Sequence, residues 1–140
     1  LVAVTAGCDV VSPLGAMGIG AVAGVLVVGS VLFIDRTLKI DDPVGAVSVH
    51  GVCGAWGTLA VGLLSRESGL FYTGSFSLIG TQAIGVGVAA AWALGMGFLL
   101  FGGIHKLIGL RVTPEEELRG LDVGEHGMEA YAGFQIFTTT

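Results

Sequence analysis

Three long runs of this chain carry no Asp, Glu, Lys or Arg: Leu14 to Ile34, Val44 to Ser65 and Ser77 to Ile104. Short polar stretches separate them. Wound as a helix at about 1.5 Å per residue, each run is long enough to cross a hydrocarbon core of roughly 30 Å. The pattern predicts membrane-spanning helices over 13–34, 43–65 and 77–108 in an all-α architecture. Pro13 opens the first, after the loop-like stretch Gly7 to Ser12. Asp42 is the expected N-cap of the second, with Pro43 at its first position, where a missing N–H costs nothing. The third is long enough to tilt or to project beyond the bilayer. Residues 35–42 (DRTLKIDD) read as a polar linker, and 66–76 (RESGLFYTGSF) as an outer loop whose Phe71 and Tyr72 suit an interface.

The ends differ from the middle. Leu1 to Ala6 (LVAVTA) is apolar from its first residue, with no initiator Met, basic leader or cleavage signal. Residues 1–12 therefore read as the end of a membrane helix followed by an outer loop, and the chain as the C-terminal part of a longer polypeptide. Residues 109–140 form a polar tail. Within it Thr113 can cap a short helix, with Pro114 at its first position and Glu115 to Glu117 opposing the positive helix end. Leu118, Leu121, Met128, Tyr131 and Phe134, mixed with Gly120, Gly124 and Gly127, suggest a segment that docks rather than floats.

Composition agrees with the pattern. Only 12% of residues are charged and 53% are hydrophobic, with a mean hydropathy of +0.87, values foreign to a soluble domain. A net charge of −5 leaves no basic surface for nucleic acid. The 25 glycines let membrane helices approach closely. Gly18, Gly20 and Gly24 superficially trace a dinucleotide-binding loop, but no strand precedes them and no acidic residue stands where a ribose needs one. Gly20 and Gly24 fit a GxxxG packing surface instead. Cys8 and Cys53 make no disulfide framework. Arg36 and Lys39 lie in the 35–42 linker, and Lys106, Arg111 and Arg119 follow the third run, against Arg66 alone on the opposite side. Linker and tail are thus expected in the cytoplasm.

His50 interrupts the second run, roughly 10 Å along the helix axis from Pro43. An ionisable group at such depth is costly and marks a pathway or a polar network. On an α-helix its face is shared by Pro43, Ala46, Gly54 and Gly57, all small, which leaves room for a partner side chain or a narrow lumen. Three readings are open. His50 hydrogen-bonds another helix, it ligates a metal or haem with Cys53 or His105, or it lines a path for a small solute. The second is weak, because a His-x-x-Cys pair offers too few ligands for zinc and His105 differs in depth by roughly 10 Å; no metal or cofactor is expected. In the third, burial disfavours the imidazolium, so a neutral or deprotonated species suits the path better than a cation.

The stretch Asp41 to Gly57 (DDPVGAVSVHGVCGAWG), with LVAVTAGCDVVSP before it and GLRVTPEEELRGLDVGEHGMEAY after it, closely resembles the C-terminal part of the ammonium transporter family. That family includes methylammonium permeases and the Rhesus proteins. The resemblance implies a multi-pass transmembrane bundle of eleven helices, a homotrimer in the plasma or inner membrane with one pore per subunit. This chain would supply the end of the eighth helix, the ninth to eleventh, and the cytoplasmic tail. Transport rather than catalysis is implied: ammonium is recruited outside, loses a proton, and ammonia passes two pore histidines.

By that resemblance His50 is the second pore histidine, and its partner and the outer recruitment site lie on earlier helices. Thr5 falls where the family has a threonine close to the pore, Ala46 lies one turn toward the cytoplasm, and Gly54 and Gly57 pack nearby. Gly120, Leu121, Asp122, His126, Gly127, Ala130 and Tyr131 match the family's tail segment, which packs beneath a neighbouring subunit and couples the pores. Met128 stands where many members have Glu, and Gly124 and Glu125 stand where plant relatives carry a phosphorylatable threonine. The linker and tail are where the PII signalling protein that closes bacterial relatives would dock. Some members act as ammonium sensors coupled to a signalling partner, and these residues do not separate sensor from transporter.

Overall fold

The computed structural model describes residues 1–42 and 44–130. In chain order they form α1 (Val2–Thr5), α2 (Pro13–Leu32), a first π-helical segment (Phe33–Leu38), a second π-helical segment (Val47–Val52), α3 (Cys53–Leu64), α4 (Leu70–Thr73), α5 (Ser77–Leu107), α6 (Pro114–Arg119) and α7 (Leu121–His126). Three stretches, Pro13–Leu38, Val47–Leu64 and Ser77–Leu107, are long and apolar enough to cross a membrane. The fold class is the expected one, a multi-pass helical architecture.

Local chemistry sets the helix starts. Ser12 caps α2 by accepting the Gly15 N–H at 3.1 Å, with Pro13 in the first turn. Two boundaries differ from those expected. The first long helix does not stop at 34 but winds on to Leu38, where Lys39 turns left-handed at φ 53° and its N–H closes on the Ile34 carbonyl. Asp35 and Arg36 end the apolar run without ending the helix, because side-chain charge does not break backbone hydrogen bonds. The second helix begins, among the described residues, only at Val47. Gly45 takes φ +66°, a left-handed turn open to glycine, and regular winding starts only after it. Pro43 itself lies outside the described residues.

Within Leu1–Leu94, one of two units into which the chain divides, the core lies among α1, α2 and α3. Ala3, Ile19, Ala23, Cys53 and Ala60 are buried together there. Ile19 and Ala23 lie one turn apart on α2, and α3 engages the backbone beside each. Trp56 donates its indole N–H to the Ile19 carbonyl at 3.1 Å, and the Cys53 thiol donates to the Ala23 carbonyl at 3.6 Å. Those carbonyls already serve helix positions, so the side chains add second bonds that fix how α3 is rotated against α2. Two glycines set the close approaches: a methyl at Gly57 would overlap the backbone of Ala3, and one at Gly62 would come within 2.6 Å of the Ile79 Cα. Past α3, Arg66 N–H meets the Val10 carbonyl at 2.9 Å, tying the loop after Ser65 to the loop before α2.

The second unit, Gly95–Thr140, contains the two short tail helices. Thr113 caps α6 as expected, and Glu116 reaches back to complete a capping box: Glu116 N–H donates to Thr113 Oγ1 at 3.3 Å while Thr113 N–H donates to Glu116 Oε2 at 3.0 Å. The Thr113 N–H and then its hydroxyl hold the Glu116 carboxyl below the usual carboxylate range, against desolvation. A carboxyl lowered on folding contributes stability above its unfolded pKa, and that contribution is lost as pH falls through the folded value. Acidification below the ordinary carboxylate range should therefore shift the Thr113 and Glu116 amide NMR signals toward unstructured positions. Glu116→Gln should abolish that shift, and equal movement in both proteins would refute the box as its cause.

Gly57→Ala should destabilise the protein by about 1–3 kcal/mol through overpacking, measured by denaturant unfolding in detergent. An unchanged midpoint would show that α1 and α3 can separate at no cost.

Candidate functional site

A groove of about 510 Å³ opens in the first unit between the His50 helix and the first half of α5. His50, Gly51, Gly54, Ala55 and Thr58 line one wall; Gly85, Val86, Ala89, Ala90 and Ala93 line the other. The walls are smooth because most of the lining side chains are hydrogen or methyl. Thr58 brings a hydroxyl, which donates to the Gly54 carbonyl at 3.0 Å and so is committed to its own helix. Among the described residues His50 is the one titratable group in the lining, and it is exposed to the groove. A neutral imidazole carries one donor and one acceptor, so it can hydrogen-bond a small polar solute in either sense.

The winding around His50 decides which residues share its wall. Residues 47–52 are π-helical, with the Cys53 N–H bonded to the Ser48 carbonyl five residues back. Single π turns inside α-helices recur at functional sites. Gly54 shares the wall at either spacing, and the wider turn brings Ala55 alongside His50 as well. Ala46, placed on the same face by α-helical spacing, is exposed just before the π segment and is not a lining residue. Gly57 faces α1 instead of the groove. Thr5 ends α1, where its hydroxyl donates to the Leu1 carbonyl at 3.0 Å, and it also lies outside the lining.

Three features had only faint signals in the sequence. The Gly85 to Ala93 stretch of small residues supplies the second wall. Ser48, two residues before His50, is fully buried. Asp42 acts beyond a single cap: Oδ1 accepts the Val47 N–H at 3.1 Å, and Oδ2 accepts the Ser48 N–H and hydroxyl, each at 3.2 Å. Desolvation pushes the Asp42 carboxyl upward, but the hydrogen bonds from Val47 and Ser48 outweigh it, and the pKa lies below the usual range.

In the tail, Gly120 (φ +97°) and Gly127 (φ +67°) hold left-handed conformations on either side of α7, and His126 is its last residue. Asp122 accepts the Ala130 N–H at 2.9 Å, which with the Val123 N–H holds its carboxyl low. Tyr131 lies outside the described residues. Among the described residues no three His, Cys, Asp or Glu side chains gather as a metal site.

A family model described as Ammonium Transporter Family matches residues 1–131. The chain belongs to the ammonium transporter family. Its relatives include the ammonium transporter Amt2 of Archaeoglobus fulgidus, 40% identical over 145 residues, covering 96% of this chain and 31% of that protein. Ammonium transporter 1 member 2 of Arabidopsis thaliana is 37% identical, covering 93% of this chain and 27% of its own length. Ammonium transporter Amt1 of Haloferax mediterranei is 39% identical, with 96% and 25% covered. This ammonium transporter family chain thus spans roughly a quarter to a third of the curated relatives it matches.

A methyl at Gly54 would stand 3.8 Å from Val2 Cγ1, an ordinary contact. Gly54→Ala should therefore leave stability within about 0.5 kcal/mol of the parent. A loss in denaturant unfolding as large as that of Gly57→Ala would show that the two glycines occupy equally tight sites.

Proposed function

We propose that this chain is the C-terminal part of an ammonium transporter, and that His50 is one of two histidines lining its pore. The observation that carries this is the placement of His50 in a groove otherwise built of glycine, alanine, valine and an internally satisfied threonine, in a chain that belongs to the family. Ammonia can accept from an imidazole N–H or donate to its free nitrogen, so passage past a histidine exchanges hydrogen bonds instead of forfeiting them. A hydrated potassium or sodium ion would shed its water against methyl groups and find no charged or carbonyl ring in exchange, which is strongly unfavourable. Ammonium therefore sheds its proton before the dry part of the path. A second histidine beside His50, from a helix that precedes this chain, would allow a proton to be shared between the rings.

The same reading assembles the protein as a homotrimer in the cell membrane, its 35–42 linker and tail in the cytoplasm. Arg36, Lys39, Lys106, Arg111 and Arg119 support that orientation. The tail, with its capping box and the turn that Asp122 closes on Ala130, is a shaped surface for a neighbouring subunit or a PII signalling protein.

Ammonium uptake into liposomes carrying the complete transporter, with potassium as competitor, tests the reading. The unsubstituted protein should conduct ammonium and exclude potassium, and His50→Ala should lower the flux by about tenfold or more or admit potassium, as loss of a pathway hydrogen bond of 1.5 kcal/mol or so implies. Binding of ammonium without flux, unaffected by His50→Ala, would replace transport with sensing and return His50 to a structural role.

A further inference from the structure

We propose that Asp42 is a positioning residue for the groove: its carboxylate holds the widened turns at 47–52, and through them the His50 imidazole, in register with the opposite wall. For its effect on flux this rests on the transport reading above; for its effect on the backbone it rests on geometry alone.

A helix that begins in π winding starts with N–H groups that no earlier turn can satisfy. The left-handed Gly45 folds the chain so that the Asp42 side chain, five and six residues back, reaches the first of these. The Gly45 N–H itself closes on the Asp42 carbonyl at 2.9 Å, so both ends of Asp42 are engaged. Bonds to an ionised carboxylate are about twice as strong as neutral ones. The hydroxyl of Ser48 adds a third bond to the same group.

Ser48 then passes the constraint on. It is fully buried, and its carbonyl receives the Cys53 N–H across the π turn. Cys53 in turn donates its thiol to the Ala23 carbonyl on α2. His50 sits inside this bracket, between a residue held by Asp42 and one held by α2. If the bracket is lost, the π turn can relax toward α-helical winding. That relaxation rotates residue 50 relative to Gly54 and Ala55 and turns the imidazole out of the groove. Asp42 does not touch the groove, so its effect on transport is entirely through this backbone.

Asp42→Asn, Ser48→Ala and the double variant in the complete transporter test the proposal by two measurements. The first is hydrogen exchange of the amides from Val47 to Cys53. Asp42→Asn should speed it by about tenfold or more, the factor expected for a lost charged hydrogen bond, with exchange in α2 unchanged. The second is initial ammonium uptake. Asp42→Asn should lower the maximal rate by about fivefold while KM stays within about twofold, and the double variant should be no slower than Asp42→Asn, because residues acting as one unit are not additive. Unchanged exchange, an unchanged maximal rate, or losses that multiply in the double variant would each overturn the proposal. Ser48→Ala, which deletes only a hydroxyl, keeps both measurements decisive if Asp42→Asn does not assemble. If the unsubstituted protein takes up no ammonium, the transport reading fails, and the exchange measurement alone decides whether Asp42 holds the segment.

Discussion

A backbone that crosses lipid has no water to satisfy its N–H and C=O groups, so every departure from regular winding must be answered by a group from the protein itself. Two segments depart from regular winding here, Phe33–Leu38 and Val47–Val52. Around His50 the helix widens to π turns, and the N–H groups at its mouth are answered by Asp42. Deeper in, α3 is mounted on α2 through two carbonyls that receive side-chain donors as well as their helical partners. The irregular segment lies between these anchorages. A side chain carried there can have a defined direction although its own turn is wide.

Small residues serve two opposite purposes in the same helix. Gly57 and Gly62 are small because a neighbour's backbone occupies the space a methyl would need. Gly51 and Gly54 are small beside a groove that remains open. The first kind trades side-chain volume for close packing, and the second for access. Composition counts the two alike, and only the neighbour distinguishes them.

Much of the fold could be read from residues whose signals are local. Ser12 with Pro13, and Thr113 with Pro114, announce helix starts within three or four positions, and both caps form. The charge-free runs reveal the spans because desolvating a charge is costly wherever the helix goes. The first misplaced boundary arises because polarity and helicity are separate properties. Asp35 and Arg36 end the apolar run inside a stretch that stays helical to Leu38. At the second helix the decisive residue is Gly45, whose left-handed turn is one of several conformations open to any glycine. His50 stands out as a candidate from its apolar surroundings, but its companions do not. Ala46 is not among the residues lining its wall and Gly57 faces α1, and Ala89, Ala90 and Ala93 belong to a helix thirty and more positions later, beyond the reach of periodicity.

The helix that carries His50 is therefore two-sided in a way that bears on how such a protein can change over generations. Cys53, Trp56, Gly57 and Ala60 face a mount that tolerates little alteration, whereas Gly51, Gly54, Ala55 and Thr58 border open space. Substitutions on the open side can reshape the groove without loosening the scaffold. Variation is thus accessible by drift along one helical stripe, while the opposite stripe keeps the architecture fixed.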